Sequence, residues 1–377
     1  MKPQKPDYWI IFFTFLLLGF GLVMVFSTSY YKGLTDFKDT YYFFRKQLVF
    51  GSIGLILFFV AANIPYHIYR KRVRLILLIS LSSLVAVLFL AHTVNGAKRW
   101  IDLGFTSFQP SEFVKLAMII YTASIMVKKQ PVLNQFKRAI IPPLVVIGFI
   151  CLLLVLEPHY SAIIIILSTC LVIIYCAGAK IQHLLLLLVL GIPILAAVLV
   201  MDDYRVARLT TVMDPWKDQS GEGYQLLQSL FAIGPGGLTG SGLGNSIQKL
   251  AYLPEAHTDF IFSIIGEELG FIGGATLIGL FIALIIRGVI ISIQSPDQFG
   301  TLLSVGIITL ISIETIFNLC VVTGLLPVTG VPLPFISYGG SALMIKMIEM
   351  GILLNISRYR MKRKKSTQTT HKIQVQG

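Results

Sequence analysis

Apolar residues run along this chain in long blocks. Ten stand out, at roughly 10–27, 48–64, 75–91, 111–127, 139–156, 160–177, 183–201, 260–286, 299–322 and 340–356. Several reach the ~20 residues a helix needs to cross a hydrocarbon core. Lipid offers no hydrogen-bond partner to a backbone amide, so each block is expected to be helical. The pattern predicts an all-α polytopic membrane protein with about ten transmembrane helices and one large extracellular loop, 202–259, between helices 7 and 8. That loop is rich in Gly, Pro and acidic residues, and its more apolar second half is expected to dip toward the membrane. Long loops are often functional. Because the blocks recur along nearly the whole chain, residues 1–365 read as a single integral-membrane domain, with 366–377 a short disordered cytoplasmic tail. Lys2 and Lys5 precede the first block, and Ser27 and Ser29 would suit signal cleavage. The block is long for a signal sequence, however, and reads as an uncleaved first helix.

Composition agrees with burial in lipid. The 377 residues are 55% hydrophobic and 13% charged, against roughly a quarter charged in a soluble domain. The net charge of +13 lies in loops and tail and reads as membrane topology. No basic and aromatic interleaving outside the spans suggests nucleic acid. The 31 Lys and Arg residues favour, about two to one, the segments that face inward when the N-terminus is inside. Both termini are therefore expected in the cytoplasm. Cys151, Cys170, Cys176 and Cys320 lie in apolar blocks and show no disulfide or metal spacing.

Ionisable groups within spans are costly and mark function or pairing. Glu112 and Lys115 stand at i and i+3 behind Pro110, on one helix face. They read either as a structural ion pair or as the lining of a cavity at the outer end of the span. Lys346 and Glu349 repeat the spacing, Glu314 has no partner in its own helix, and Glu267 and Glu268 read either as an inner pair or as a helix-packing feature. The densest constellation runs from Lys249 to Phe262, where Glu255, His257 and Asp259 fall within five residues at the mouth of a span. Asp259 reads as a helix N-cap, as a general base whose pKa a low dielectric raises, or as both, since the two roles can coexist. The run Gly234 to Ser246 lacks P-loop spacing and reads as a flexible or tightly turned loop. Asn95-Gly96-Ala97-Lys98-Arg99-Trp100 reads either as a membrane anchor or as a diphosphate contact. Pro327, Pro332 and Pro334 break the approach to the last span, where irregular backbone must be buried or line a cavity.

At these residues the chain resembles the SEDS family (shape, elongation, division and sporulation), which includes RodA, FtsW and SpoVE. The matching segments include Asn95 to Trp100, Gln109 to Leu116, Gly223-Tyr224-Gln225, Gln228 to Leu230, Ala232 to Gly237, Gly242 to Gly244, Tyr252 to Phe262 and Pro334 to Ser341. Leu354 to Tyr359 is more similar to the division and sporulation branch. One departure stands at Glu157-Pro158-His159-Tyr160-Ser161-Ala162, where many members read Gln-Pro-Asp-Leu-Gly-Thr.

The resemblance implies a peptidoglycan glycosyltransferase in a bacterial plasma membrane, with its active site on the outer face. It would polymerise lipid II into β-1,4 glycan and release polyprenyl diphosphate, with inversion. Asp259 matches the family's essential Asp and is expected to be the base. Lys98, Arg99 and Lys249 are expected to neutralise the diphosphate. A divalent cation, Mg or Mn, is expected to help, with Glu255 and His257 orienting groups or holding it, and no organic cofactor is expected. The expected partners are a class B penicillin-binding protein and other division proteins. A lipid II transporter and a non-catalytic scaffold are the alternative readings.

Overall fold

The structure, a computed structural model, describes residues 4–94, 97–102, 104, 107–200, 208, 211–218, 221 and 223–359. The tail expected at 366–377 and part of the 202–259 loop lie outside the described residues. A helix occupies each of the ten apolar blocks. These are α1 (Tyr8–Phe37), α2 (Tyr42–Asn63), α4 (Val73–Leu90), α5 (Pro110–Lys129), α7 (Ile141–Leu156), α8 (Tyr160–Cys176), α9 (Ile181–Val200), α11 (Ile261–Ile293), α12 (Gln298–Val322) and α13 (Gly340–Ser357). Short helices α3 (His67–Lys71), α6 (Phe136–Ala139) and α10 (Tyr224–Ile233) lie between them. Among the described residues seven helices are long and apolar enough to cross a membrane: α1, α2, α4, α5, α11, α12 and α13. The apolar helices α7 and α8 are shorter.

Local chemistry sets the helix ends. Asp7 caps α1 by accepting from the Trp9 amide at 3.2 Å. Pro110 stands in the first turn of α5 with Glu112 just behind it, and Lys128 and Lys129 close the helix. That order matches the helix dipole at both ends. The Asp7 carboxylate also pairs with Arg287 of α11 at 2.5 Å, and its amide donates to Ser357 Oγ of α13 at 3.1 Å. The start of α1, the far part of α11 and the end of α13 therefore share one face of the bundle. Asp259, just before α11, lies at the other end of that helix.

In the interior α13 packs on α2, α11 on α12 and α1, and α12 on α8 and α5. Two local features depart from the sequence reading. Three strands, β1 (His92–Val94), β2 (Ala97–Asp102) and β3 (Ser107–Phe108), form a small antiparallel sheet in the order β1-β2-β3. Asn-Gly between two β runs is the strongest short hairpin signal, and Asn95-Gly96 supplies it in sequence, although that dipeptide lies outside the described residues. The second departure is in α11, which breaks at Gly270 with φ 62° and ψ −161°, a conformation that glycine adopts readily.

Candidate active site

Asp259 is the last polar residue before α11. Phe260 occupies the cap position there, and no side chain caps the helix. The capping alternative for Asp259 is thereby corrected: the helix starts one residue too late for it, and the carboxylate is left for other work. The backbone around Asp259 is held by the segment leading into α13. Asn318 Nδ2 on α12 donates to Asp259 O at 2.7 Å and to Val331 O at 2.9 Å. Ser337 Oγ donates to Thr258 O at 2.6 Å and accepts from the Leu333 amide at 2.8 Å. The Tyr338 amide donates to His257 O at 2.9 Å. The Pro-rich approach to the last span is thus an ordered bracket for this segment.

The neighbours set the electrostatics. Burial pushes the Asp259 carboxyl up to about 7, the Glu255 charge pushes the same way, and Arg99 opposes. Arg99 lies across the loop between α7 and α8. Its Nε donates to Glu157 O at 3.5 Å, and its Nη2 donates to Pro158 O. Burial, then the nearby Arg208, lower the Arg99 pKa. Arg208 Nη1 donates to Val328 O at 3.2 Å. Gly330, two residues on, lies against Asp259: a Cβ there would sit 3.4 Å from Oδ2. Arg99 thus stands within electrostatic reach of Asp259 on one side and of Arg208 on the other. Sequence reading missed Arg208, whose only signal was its position in the long loop.

Glu255 and His257 carry different contacts. Glu255 pairs with Lys32 at 3.7 Å and accepts from Thr258 Oγ1 at 2.8 Å. Lys32 leads these in holding the Glu255 carboxyl below its usual range, against the pull of burial. The His257 ring lies 4.7 Å from Phe43 and 5.6 Å from Tyr338. Burial pushes it down to about 4, so it is neutral at pH 7. Among the described residues no three His, Cys, Asp or Glu side chains converge to hold a metal ion. A divalent cation held by Glu255 and His257 does not fit: Lys32 and Thr258 engage one carboxylate, and the other side chain is packed between aromatic rings.

Lys98 belongs to β2, and its side chain lies outside the described residues. Lys249 is not brought to Asp259. Its ammonium is buried against Glu268 of α11 at 2.6 Å. The diphosphate contact expected of it would require that pair to open. Glu157 and His159, at the family departure, are both buried. Burial raises the Glu157 carboxyl to about 8 and lowers His159 well below its usual value.

Beneath the site lies a chain of buried charges. Lys115 pairs with Glu112 at 2.8 Å and with Glu314. Lys346 pairs with Glu314 at 2.8 Å and with Glu349 at 3.0 Å. Glu314, partnerless within its own helix, thus bridges α5 and α13 across α12. A narrow cavity beside it is lined by Glu112, Glu314, Leu333, Ser337 and Lys346 among others. Its volume of about 10 Å³ suits roughly one water, not a sugar.

Comparison with known proteins agrees with this architecture. Residues 8–362 match the family of cell cycle proteins named for FtsW, RodA and SpoVE. The chain is 42% identical over 360 residues to stage V sporulation protein E of Bacillus subtilis strain 168, covering 95% of this chain and 98% of that protein. It is 40% identical over 356 residues to the probable peptidoglycan glycosyltransferase FtsW of Coxiella burnetii, covering 93% and 96%. A chain of a solved peptidoglycan synthase complex superposes with a TM-score of 0.77 at 27% identity, covering 95% of this chain and 99% of that one. This chain is a multi-pass membrane protein and belongs to the FtsW/RodA/SpoVE family.

Proposed function

We propose that this chain is a peptidoglycan glycosyltransferase of division or sporulation that polymerises lipid II. The observation that carries the reading is Asp259, an uncapped, partly exposed carboxylate with a pKa near 7, set beside Arg99. In the reaction an acceptor sugar 4-hydroxyl gives its proton to Asp259 and attacks the anomeric carbon of the donor. The C–O bond to the polyprenyl diphosphate breaks on the opposite side, and an α-linked donor becomes a β-1,4 glycan. A base with a pKa near the working pH is suited to that transfer. Arg99, with Lys98 beside it in β2, offsets the charge that develops on the diphosphate. Diphosphate needs no strong acid to leave, so one carboxylate suffices. We place the Mg or Mn ion expected from the resemblance with the donor's diphosphate rather than in a protein cage.

The site is assigned to the outer face of the bacterial plasma membrane, with both termini in the cytoplasm. Two things support this: the Lys/Arg bias, and the position of Asp259 at the end of α11 away from the face that carries Asp7 and Ser357. A class B penicillin-binding protein is the assigned partner, since the solved relative is part of a synthase complex. The test is glycan formation by purified protein from premade lipid II in detergent. Polymer is expected. A transporter would yield none, because detergent has no two sides and flipping forms no bond.

A further inference from the structure

The Gly-rich run and the turn after it are bound tightly to the broken helix α11. Glu267 O and Glu268 O, just before the break at Gly270, accept from Ser241 N at 2.9 Å and Gly242 N at 3.0 Å. Beyond the break, Phe271 N and Ile272 N donate to Gly237 O and Leu238 O at 2.9 and 3.1 Å. The loop backbone thus takes up groups the interrupted helix leaves open. Contact is so close at Gly240 that a Cβ would lie 2.2 Å from Glu268 O.

The side chains repeat this fastening. Glu267 accepts from Ser246 Oγ at 2.5 Å and Ile247 N at 2.7 Å. Glu268 accepts from Ser27 Oγ of α1 at 2.6 Å and pairs with Lys249 at 2.6 Å, and both charged side chains are fully buried. The Lys249 ammonium also lies 3.3 Å from Ser27 Oγ and 4.9 Å from the Tyr30 ring. Lys32 of the same helix reaches Glu255. The loop that ends at Asp259 is therefore tied at its start to α11 and α1. A buried ion pair adds little net stability compared with an apolar pair, and its best-attested use is to fix register.

We propose that Lys249, Glu268 and Ser27 form a latch that positions Asp259 for the glycosyl transfer, so that Lys249 is a positioning residue and not a ligand of the donor's diphosphate. This rests on the reading of Asp259 as the base. A misplacement of ~1 Å costs on the order of 10²-fold in rate, so loosening the loop acts on turnover.

The test compares Lys249→Met, Glu268→Gln, their double variant and the milder Ser27→Ala, purified in detergent. Turnover and donor KM are measured, with hydrogen exchange of residues 246–259. The latch predicts that each charge variant lowers kcat about 10- to 100-fold with donor KM within about twofold. The double variant is no worse than either single, as for residues acting as one unit. Ser27→Ala loses several-fold, and the loop amides exchange faster in every variant. Two results overturn the latch. One is a raised KM in Lys249→Met with Glu268→Gln unaffected, which would make Lys249 a donor ligand. The other is wild-type kcat and exchange in variants that fold. Should the wild-type protein make no glycan, the functional reading falls, and the exchange measurement still decides the latch.

Discussion

Asp259 should impose a pH limb on catalysis. Its pKa is lifted from an ordinary 3.8 to about 7, chiefly by burial and next by Glu255, with Arg99 opposing. A lift of about three units disfavours the ionised form by about 4 kcal/mol, at 1.36 kcal/mol per unit. A general base works only when deprotonated, so kcat/KM should rise with pH and level off above the pKa. With a pKa of about 7, roughly a tenth of the sites are active at pH 6 and roughly nine tenths at pH 8. Two other groups bear on the profile. His257, at about 4, stays neutral over this range. Glu157, at about 8, titrates close to Arg99; Glu157→Gln removes that second titration and should leave the limb near 7 in place. The causes of the lift also give signs. Glu255→Gln removes a charge that raises the pKa and should move the limb to lower pH. Arg99→Gln removes a charge that lowers it and should move the limb to higher pH. The assay is initial-rate glycan formation from premade lipid II in detergent, from pH 5.5 to 9 at constant ionic strength. A flat profile, or a limb that ignores Glu255→Gln, would refute the assignment of the base and its tuning.

Three further outcomes follow from the packing. Glu314→Gln leaves Lys115 and Lys346 without their shared carboxylate and should cost about 3–5 kcal/mol, read as a lowered thermal midpoint in detergent. Exchanging Glu112 and Lys115 together should leave much of the stability lost in each single exchange unrestored, because it sets a second carboxylate against buried Glu314; full recovery would show that the pair with Glu314 carries little weight. Gly240→Ala puts a methyl group against the α11 backbone at a residue with φ of +77° and should destabilise by about 1–3 kcal/mol, again read as the thermal midpoint.

The sequence and the structure agree where information is local. Apolar blocks of span length became helices because length and hydropathy alone dictate that in lipid. Glu112 and Lys115 pair because three residues place them on one helix face. What the sequence concealed was long-range. Glu314 finds both partners on other helices, one of them on the distant α5, and no spacing rule within a helix reaches them. Lys249 looks like a loop cation, yet Glu268 and Ser27 enclose it. The Gly-rich run reads equally well as slack or as tight until Glu267, Glu268 and the Gly270 break are seen to receive it. The small sheet of β1, β2 and β3 is hard to read for another reason: its strands are short and carry Lys98, Arg99 and Trp100, which are equally at home in a membrane-interface loop. Asp259 was legible as a candidate, but only the start of α11 at Ile261 removes the cap from its possible roles.

The most direct measurement is polymer length and polyprenyl diphosphate release by Asp259→Asn beside wild type, in detergent, with matched thermal midpoints confirming that both are folded. Long glycan chains and stoichiometric diphosphate from wild type, with neither from the variant, are the predicted result. Chains of ordinary length from the folded variant would contradict the account.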